Sequence, residues 1–109
     1  MPPIMEISVH PFGKQGASLS DALAQVVREV EKRGLNYQIT PMGTCVEGDL
    51  DTLFGLARDM HEVCFDLGYP RVHTTIRLDD RRDKDLTMQY VVDTVKTKVA
   101  QQATHIRES

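Results

Sequence analysis

The sequence predicts an α+β fold: a four-stranded antiparallel sheet, two helices packed on one of its faces, and a further helix at the C-terminal end. Three patterns carry this reading. Runs of residues alternate apolar and polar at period two, a glycine turn joins two of those runs, and three longer segments repeat apolar residues at helical spacing, in the order βαββαβα.

The first strand spans residues 4–11, where Ile7 and Val9 alternate with Glu6, Ser8 and His10. Gly13 to Gly16 form a turn, and Ser18 stands as the expected N-cap of a helix whose stripe is Ala22, Leu23, Val26, Val27 and Val30, ending at Arg33-Gly34. Residues 35–42 alternate again, Tyr37 and Ile39 against Gln38 and Thr40, and Gly43 turns the chain into an extended run over residues 44–47. Leu53, Leu56, Met60, Cys64 and Leu67 mark the second helix, with Asp49 or Asp51 placed to cap it and Gly68 to close it. Over residues 71–79, Val72, Thr74, Ile76 and Leu78 face one way and Arg71, His73, Thr75 and Arg77 the other. Met88, Val91, Val92, Val95 and Val99 form a third helical stripe, and the polar residues 101–109 are expected to fray. Two βα crossovers around a hairpin give the split βαβ, ferredoxin-like sandwich, here one domain over residues 1–109 with its core at about 4–100.

Composition narrows function. Hydrophobic residues at 40% and charged residues at 27% are enough for a folded core. A net charge of -3 and a pI near 5.7 argue against a general nucleic-acid binder, which needs a basic surface. No apolar run approaches a membrane span, and Met1-Pro2-Pro3-Ile4 lacks the basic and apolar segments of an export signal. Cys45 and Cys64 form no CxxC pair, consistent with reduced thiols in a cytoplasmic protein.

Helices cover one face of such a sheet, so the other carries Glu6, Ser8, His10, Gln38, Thr40, His73, Thr75 and Arg77. It is read either as a solvated face or as a surface for a ligand or partner. The mixture of hydroxyl, amide, imidazole and carboxylate groups suits the edge of a heterocycle. In Pro41-Met42-Gly43-Thr44 the glycine permits close backbone approach and the thioether can pack on a flat ring, although a methionine is more often core.

Ser8-Val9-His10-Pro11 with Gly13, Ser18-Leu19-Ser20, Pro41-Met42-Gly43-Thr44 with Glu47-Gly48, and Arg71-Val72 leading to Asp80-Arg81-Arg82-Asp83-Lys84 together resemble the thiamine-binding, YkoF-like (UPF0045, DUF77) family. The resemblance runs over about residues 4–100. It implies a non-enzymatic protein that binds thiamine or its hydroxymethylpyrimidine moiety, assembles into homodimers or homotetramers through its sheets, and uses no other cofactor. An aminopyrimidine needs short polar groups on a rigid support, for which Ser8, Thr40 and Thr44 are suited; Met42, or a residue of another subunit, would stack, and Glu47 or Glu6 would meet the thiazolium charge. Ser18 serves as helix cap, as anion receiver, or as both.

Asp79-Asp80-Arg81-Arg82-Asp83-Lys84 is read as a turn laced by ion pairs, with anion binding or a subunit contact as the alternative. His61 and Cys64 share a helix face, but Cys64 belongs to the apolar stripe; His10 and His73 lack a third metal ligand. No P-loop, GxSxG, HExxH or dinucleotide fingerprint is present. The competing reading is a regulatory or structural module whose sheet face is a subunit interface. Single-stranded RNA binding needs exposed sheet aromatics, whereas Tyr37, Phe54 and Phe65 are expected to face the core.

Overall fold

The computed structural model describes residues 2–108, with side chains through residue 103. Its elements follow the expected order: β1 Ile4–Phe12, α1 Leu19–Lys32, β2 Tyr37–Thr40, β3 Gly43–Glu47, α2 Leu50–Asp66, β4 Arg71–Asp79 and α3 Met88–Glu108. The strands lie in the order β2-β3-β1-β4, every neighbouring pair antiparallel, which is the ferredoxin-like α+β sheet.

Local chemistry sets the helix starts. Ser18 Oγ accepts the Asp21 N–H at 3.4 Å, and Asp49 Oδ1 accepts the Thr52 N–H at 2.9 Å, so Asp49 rather than Asp51 is the cap of α2. Gly34 and Gly68 take positive φ where α1 and α2 end. Met5, Ile7, Val30, Val46, Leu53, Leu56, Met60 and Cys64 are fully buried between sheet and helices, each large apolar side chain contributing about 1.5–3 kcal/mol.

The ladder bonds alternate along each strand. The Gly48 N–H donates to the Pro3 C=O at 3.1 Å, so Pro3 and, by alternation, Met5, Ile7 and Val9 turn their backbone groups toward β3. Even-numbered residues of β1 turn theirs to odd-numbered residues of β4. Val72, Thr74, Ile76 and Leu78 therefore present N–H and C=O outward along the free edge of β4.

Two expectations are corrected. Phe54 and Phe65 do not face the core: they are 55% and 40% exposed, because α2 buries the stripe Leu53, Leu56, Ala57, Met60 and Cys64 and turns a neighbouring side outward. Helix α3 continues to Glu108 instead of fraying after residue 100, although it leaves the sheet after the buried Met88, and Val91, Val95 and Val99 stay exposed. The radius of gyration is 17.2 Å, against about 13 Å for a compact chain of this length, and the molecule measures 57 × 32 × 20 Å. No helix of the described residues is long and apolar enough to cross a membrane.

Candidate functional site

β1 is longer than its neighbour. Its ladder with β3 stops at Ile7↔Thr44, while β1 runs on to Phe12 paired only with β4. The β2–β3 turn is held by Thr40, whose Oγ1 donates to the Gly43 C=O at 3.0 Å and accepts the Met42 N–H at 3.2 Å. Between this turn, the unpaired stretch of β1 and the first turns of α1 lies a cavity of about 280 Å³.

Its walls are chiefly apolar: Leu19, Leu23, Val26 and Val27 from α1, Ile7 and Val9 from β1, Ile39 from β2 and Met60 from α2. No Asp, Glu, Lys or Arg is among the residues that line it. Thr44 is the buried polar residue of the lining, 5% exposed, and its hydroxyl has no hydrogen-bond partner among the described residues. Beyond Ile7 the ladder no longer occupies the Val9 N–H and C=O, which point to the side where β3 has ended. Gly43, at φ 153, allows the tight approach that shapes the turn, since a Cβ there would lie 2.7 Å from the Ile7 carbonyl oxygen.

Of the side chains expected at a site, Ser8, Thr40, Met42 and Thr44 line this cavity together with His10, and Met42 stands at the rim 78% exposed. They do not share one sheet face. Register puts Ser8 and Thr40 on the uncovered face and Thr44, opposite Ile7, on the helix-covered face, so the cavity sits at the margin between sheet and helix layer.

Ser18 and Glu47 lie elsewhere. Ser18 caps α1 and contacts Ser20 Oγ at 3.0 Å, in a separate hollow with Lys14 and Asp21. The Glu47 carboxylate accepts the Met88 N–H at 2.6 Å through one oxygen and Asn36 Nδ2 at 3.4 Å through the other, beside Gln38, whose amide donates to Gln89 at 3.1 Å. The sequence reading missed Leu19, Leu23 and the Val9 backbone. Leu19 and Leu23 at i and i+4 were the available signal, since they fall beside the core stripe Ala22, Val26 and Val30.

The other groups singled out in the sequence make the following contacts. His61 Nδ1 is 2.6 Å from Thr74 Oγ1, and Cys64 is buried, its thiol pushed upward by desolvation. Desolvation and the neighbouring Glu6 also raise Cys45, against a smaller opposing pull from Arg77. His10 and His73 pair across β1 and β4 with no third metal ligand among the described residues. In the loop after β4, Arg81 pairs with Asp83 at 2.6 Å and Arg82 with Asp80 at 2.8 Å.

The sequence profile of the family described as thiamine-binding protein matches residues 5–96. The chain belongs to that family. A UPF0045 protein of Staphylococcus xylosus is 42% identical over 97 residues, covering 85% of this chain and 91% of the relative. A UPF0045 protein of Methanothermobacter thermautotrophicus is 39% identical, covering 86% and 96%. Among solved structures, a UPF0045 protein of Methanocaldococcus jannaschii superposes with a TM-score of 0.78 at 29% identity, over 88% of this chain and 98% of that one. A Thermotoga maritima protein described as a candidate for thiamine biosynthesis or salvage shares the fold, with a TM-score of 0.73 at 17% identity over 87% and 99%.

Proposed function

We propose that this member of the thiamine-binding family is a non-enzymatic binding protein that holds thiamine or its hydroxymethylpyrimidine moiety in the cavity beside the β2–β3 turn, as a homo-oligomer. The observation that carries the reading is the Thr44 hydroxyl, which has no hydrogen-bond partner among the described residues and is not sealed from solvent, in a chiefly apolar cavity next to the Val9 N–H and C=O released from the ladder. A polar group that opens into an apolar cavity without a protein partner is free to bond a ligand in exchange for water. An aminopyrimidine offers a ring-nitrogen acceptor beside an amino donor, which complements an N–H and C=O on one strand, while the apolar walls take the ring faces and methyl group.

No carboxylate lines the cavity, and Glu47 is engaged with α3, so the ring that enters is the neutral pyrimidine and the cationic thiazolium stays at the mouth in water. Titration calorimetry with thiamine, thiamine phosphate and hydroxymethylpyrimidine tests this. Binding at micromolar Kd, about -8 kcal/mol, is expected for the parent. Thr44→Val keeps the shape and removes the hydroxyl, and weakens binding by about 1 kcal/mol or more. No heat and no thermal shift at saturating ligand would sink the ligand reading.

The alternative, a regulatory or structural oligomerisation module, draws on the sheet face bearing Glu6, Ser8, Gln38, His73, Thr75 and Arg77, to which α1 and α2 do not pack.

A further inference from the structure

We propose that His10, His73 and Arg71 form a phosphate subsite at the cavity mouth, so that the ligand this protein selects is a phosphate monoester of thiamine rather than the free alcohol. The inference rests on the cavity reading given above and adds what holds the far end of the molecule. β1 and β4 run on together past the point where β3 stops, and on the uncovered face of that overhang the register sets Ser8 opposite Thr75, His10 opposite His73 and Phe12 opposite Arg71. Ser8 and His10 line the cavity, and the Phe12–Arg71 pair lies about 7 Å further out, two residues along the strands.

Three features set this patch apart from an ordinary solvated surface. The Phe12 ring braces two of its members: its centroid is 4.9 Å from that of the His10 imidazole, and the Arg71 guanidinium carbon stands 5.3 Å over it. Arg71 makes no ion pair, and neither imidazole makes a hydrogen bond, among the described residues, so their N–H groups are open to an incoming acceptor. In the loop after β4, by contrast, Arg81 and Arg82 are already matched to Asp83 and Asp80. No carboxylate shares the patch either. On this face of β1 and β4 the acidic residues are Glu6 and Asp79, and Glu6, the nearer to His10, lies four residues before it, about 13 Å along the strand. In a chain of net charge -3 this is a local reversal of sign.

The chemistry of the ligand fits the spacing. With the pyrimidine among Leu19, Leu23 and Thr44, the thiazolium lies at the mouth and its two-carbon arm runs out along the strands toward Arg71. A bare hydroxyl on that arm leaves a cationic ring facing a guanidinium, which is repulsive. A phosphate there carries about two negative charges and turns the same arrangement attractive, the planar guanidinium meeting two of its oxygens and the imidazoles donating to the others. Thiamine phosphate therefore binds more tightly than thiamine, while hydroxymethylpyrimidine, which has no arm, is indifferent to the patch.

The test is titration calorimetry of the full chain with the three ligands, with circular dichroism confirming that each variant folds. Arg71 and His73 stand outside the cavity lining, so their variants leave the pyrimidine site intact. The parent should bind thiamine phosphate about tenfold or more tighter than thiamine at low salt, with the gap narrowing as salt rises. Arg71→Gln should erase the preference without changing affinity for hydroxymethylpyrimidine, and Arg71→Lys, which keeps the charge but not the fork, should retain part of it. Equal affinity of the parent for thiamine and its phosphate, with hydroxymethylpyrimidine still bound, overturns the subsite and leaves the cavity. A preference that survives both Arg71→Gln and His73→Gln places the phosphate elsewhere and overturns it as well. If no pyrimidine ligand binds, the cavity reading falls, and inorganic phosphate decides the patch by itself: shifts of the His10 and His73 imidazole resonances that vanish in Arg71→Gln uphold an anion site, and unmoved resonances overturn it.

Discussion

The Glu47 carboxylate accepts the Met88 backbone N–H at 2.6 Å, joining the end of β3 to the first turn of α3 across 41 residues of chain. Thr87 Oγ1 accepts the Tyr90 N–H at 3.1 Å in the same turn, so two acceptors hold the positive end of this helix. A carboxylate used in this way is a cap, and it ties down a helix that leaves the sheet soon afterwards.

Glu47→Ala should therefore unfasten α3 while leaving the cavity intact. The expected outcome is a loss of about 1–2 kcal/mol in urea unfolding and lower helical signal, with unchanged affinity for hydroxymethylpyrimidine. Calorimetry and circular dichroism on the same sample check it; a loss of ligand binding with α3 undisturbed would return Glu47 to the binding site.

Gly43→Ala strikes the turn itself. The added Cβ meets the Ile7 carbonyl oxygen at 2.7 Å, and φ 153 is strained for an L side chain. We expect about 1–3 kcal/mol of destabilisation and a fall in Tm of several degrees, together with weakened ligand binding, because β3 must shift away from β1 and carries Thr44 with it. Differential scanning calorimetry with and without ligand reads both effects.

Acid stability should depend on Asp59. Its hydrogen bond from Arg33, helped by the charges of Arg33 and Arg58, holds the carboxyl below its ordinary range against the smaller effect of desolvation. A lowered folded-state pKa means that the contribution is present above the unfolded value, about 3.9, and is lost as pH falls through the folded one. Asp59→Asn should flatten the fall in Tm between about pH 5 and pH 3 relative to the parent, and leave a smaller difference in melting behaviour at the acid end than at pH 7. A parallel pair of Tm curves would remove the link.

Much of the fold could be read from residue order alone. Period-two alternation depends on the geometry of a single strand, so Ile7 and Val9 separate from Ser8 and His10, and the bounds of β4 at Arg71 and Asp79 follow without any tertiary contact. Helix caps are equally local: Ser18 bonds a residue three positions away, as does Asp49. What lies between strands is not local. The register of β3 against β1 places Thr44 opposite Ile7, beneath the helices, and separates it from Ser8 by the thickness of the sheet. Ending that ladder at Ile7 opens the cavity and releases the Val9 backbone from β3, and docking α3 consumes the Glu47 carboxylate. A sequence specifies directly those features whose periodicity fits within one element; which strand stops first, which side of α2 faces out at Phe54, and which acceptor receives a distant N–H are decided only when the elements pack together, because each depends on groups far apart in the chain.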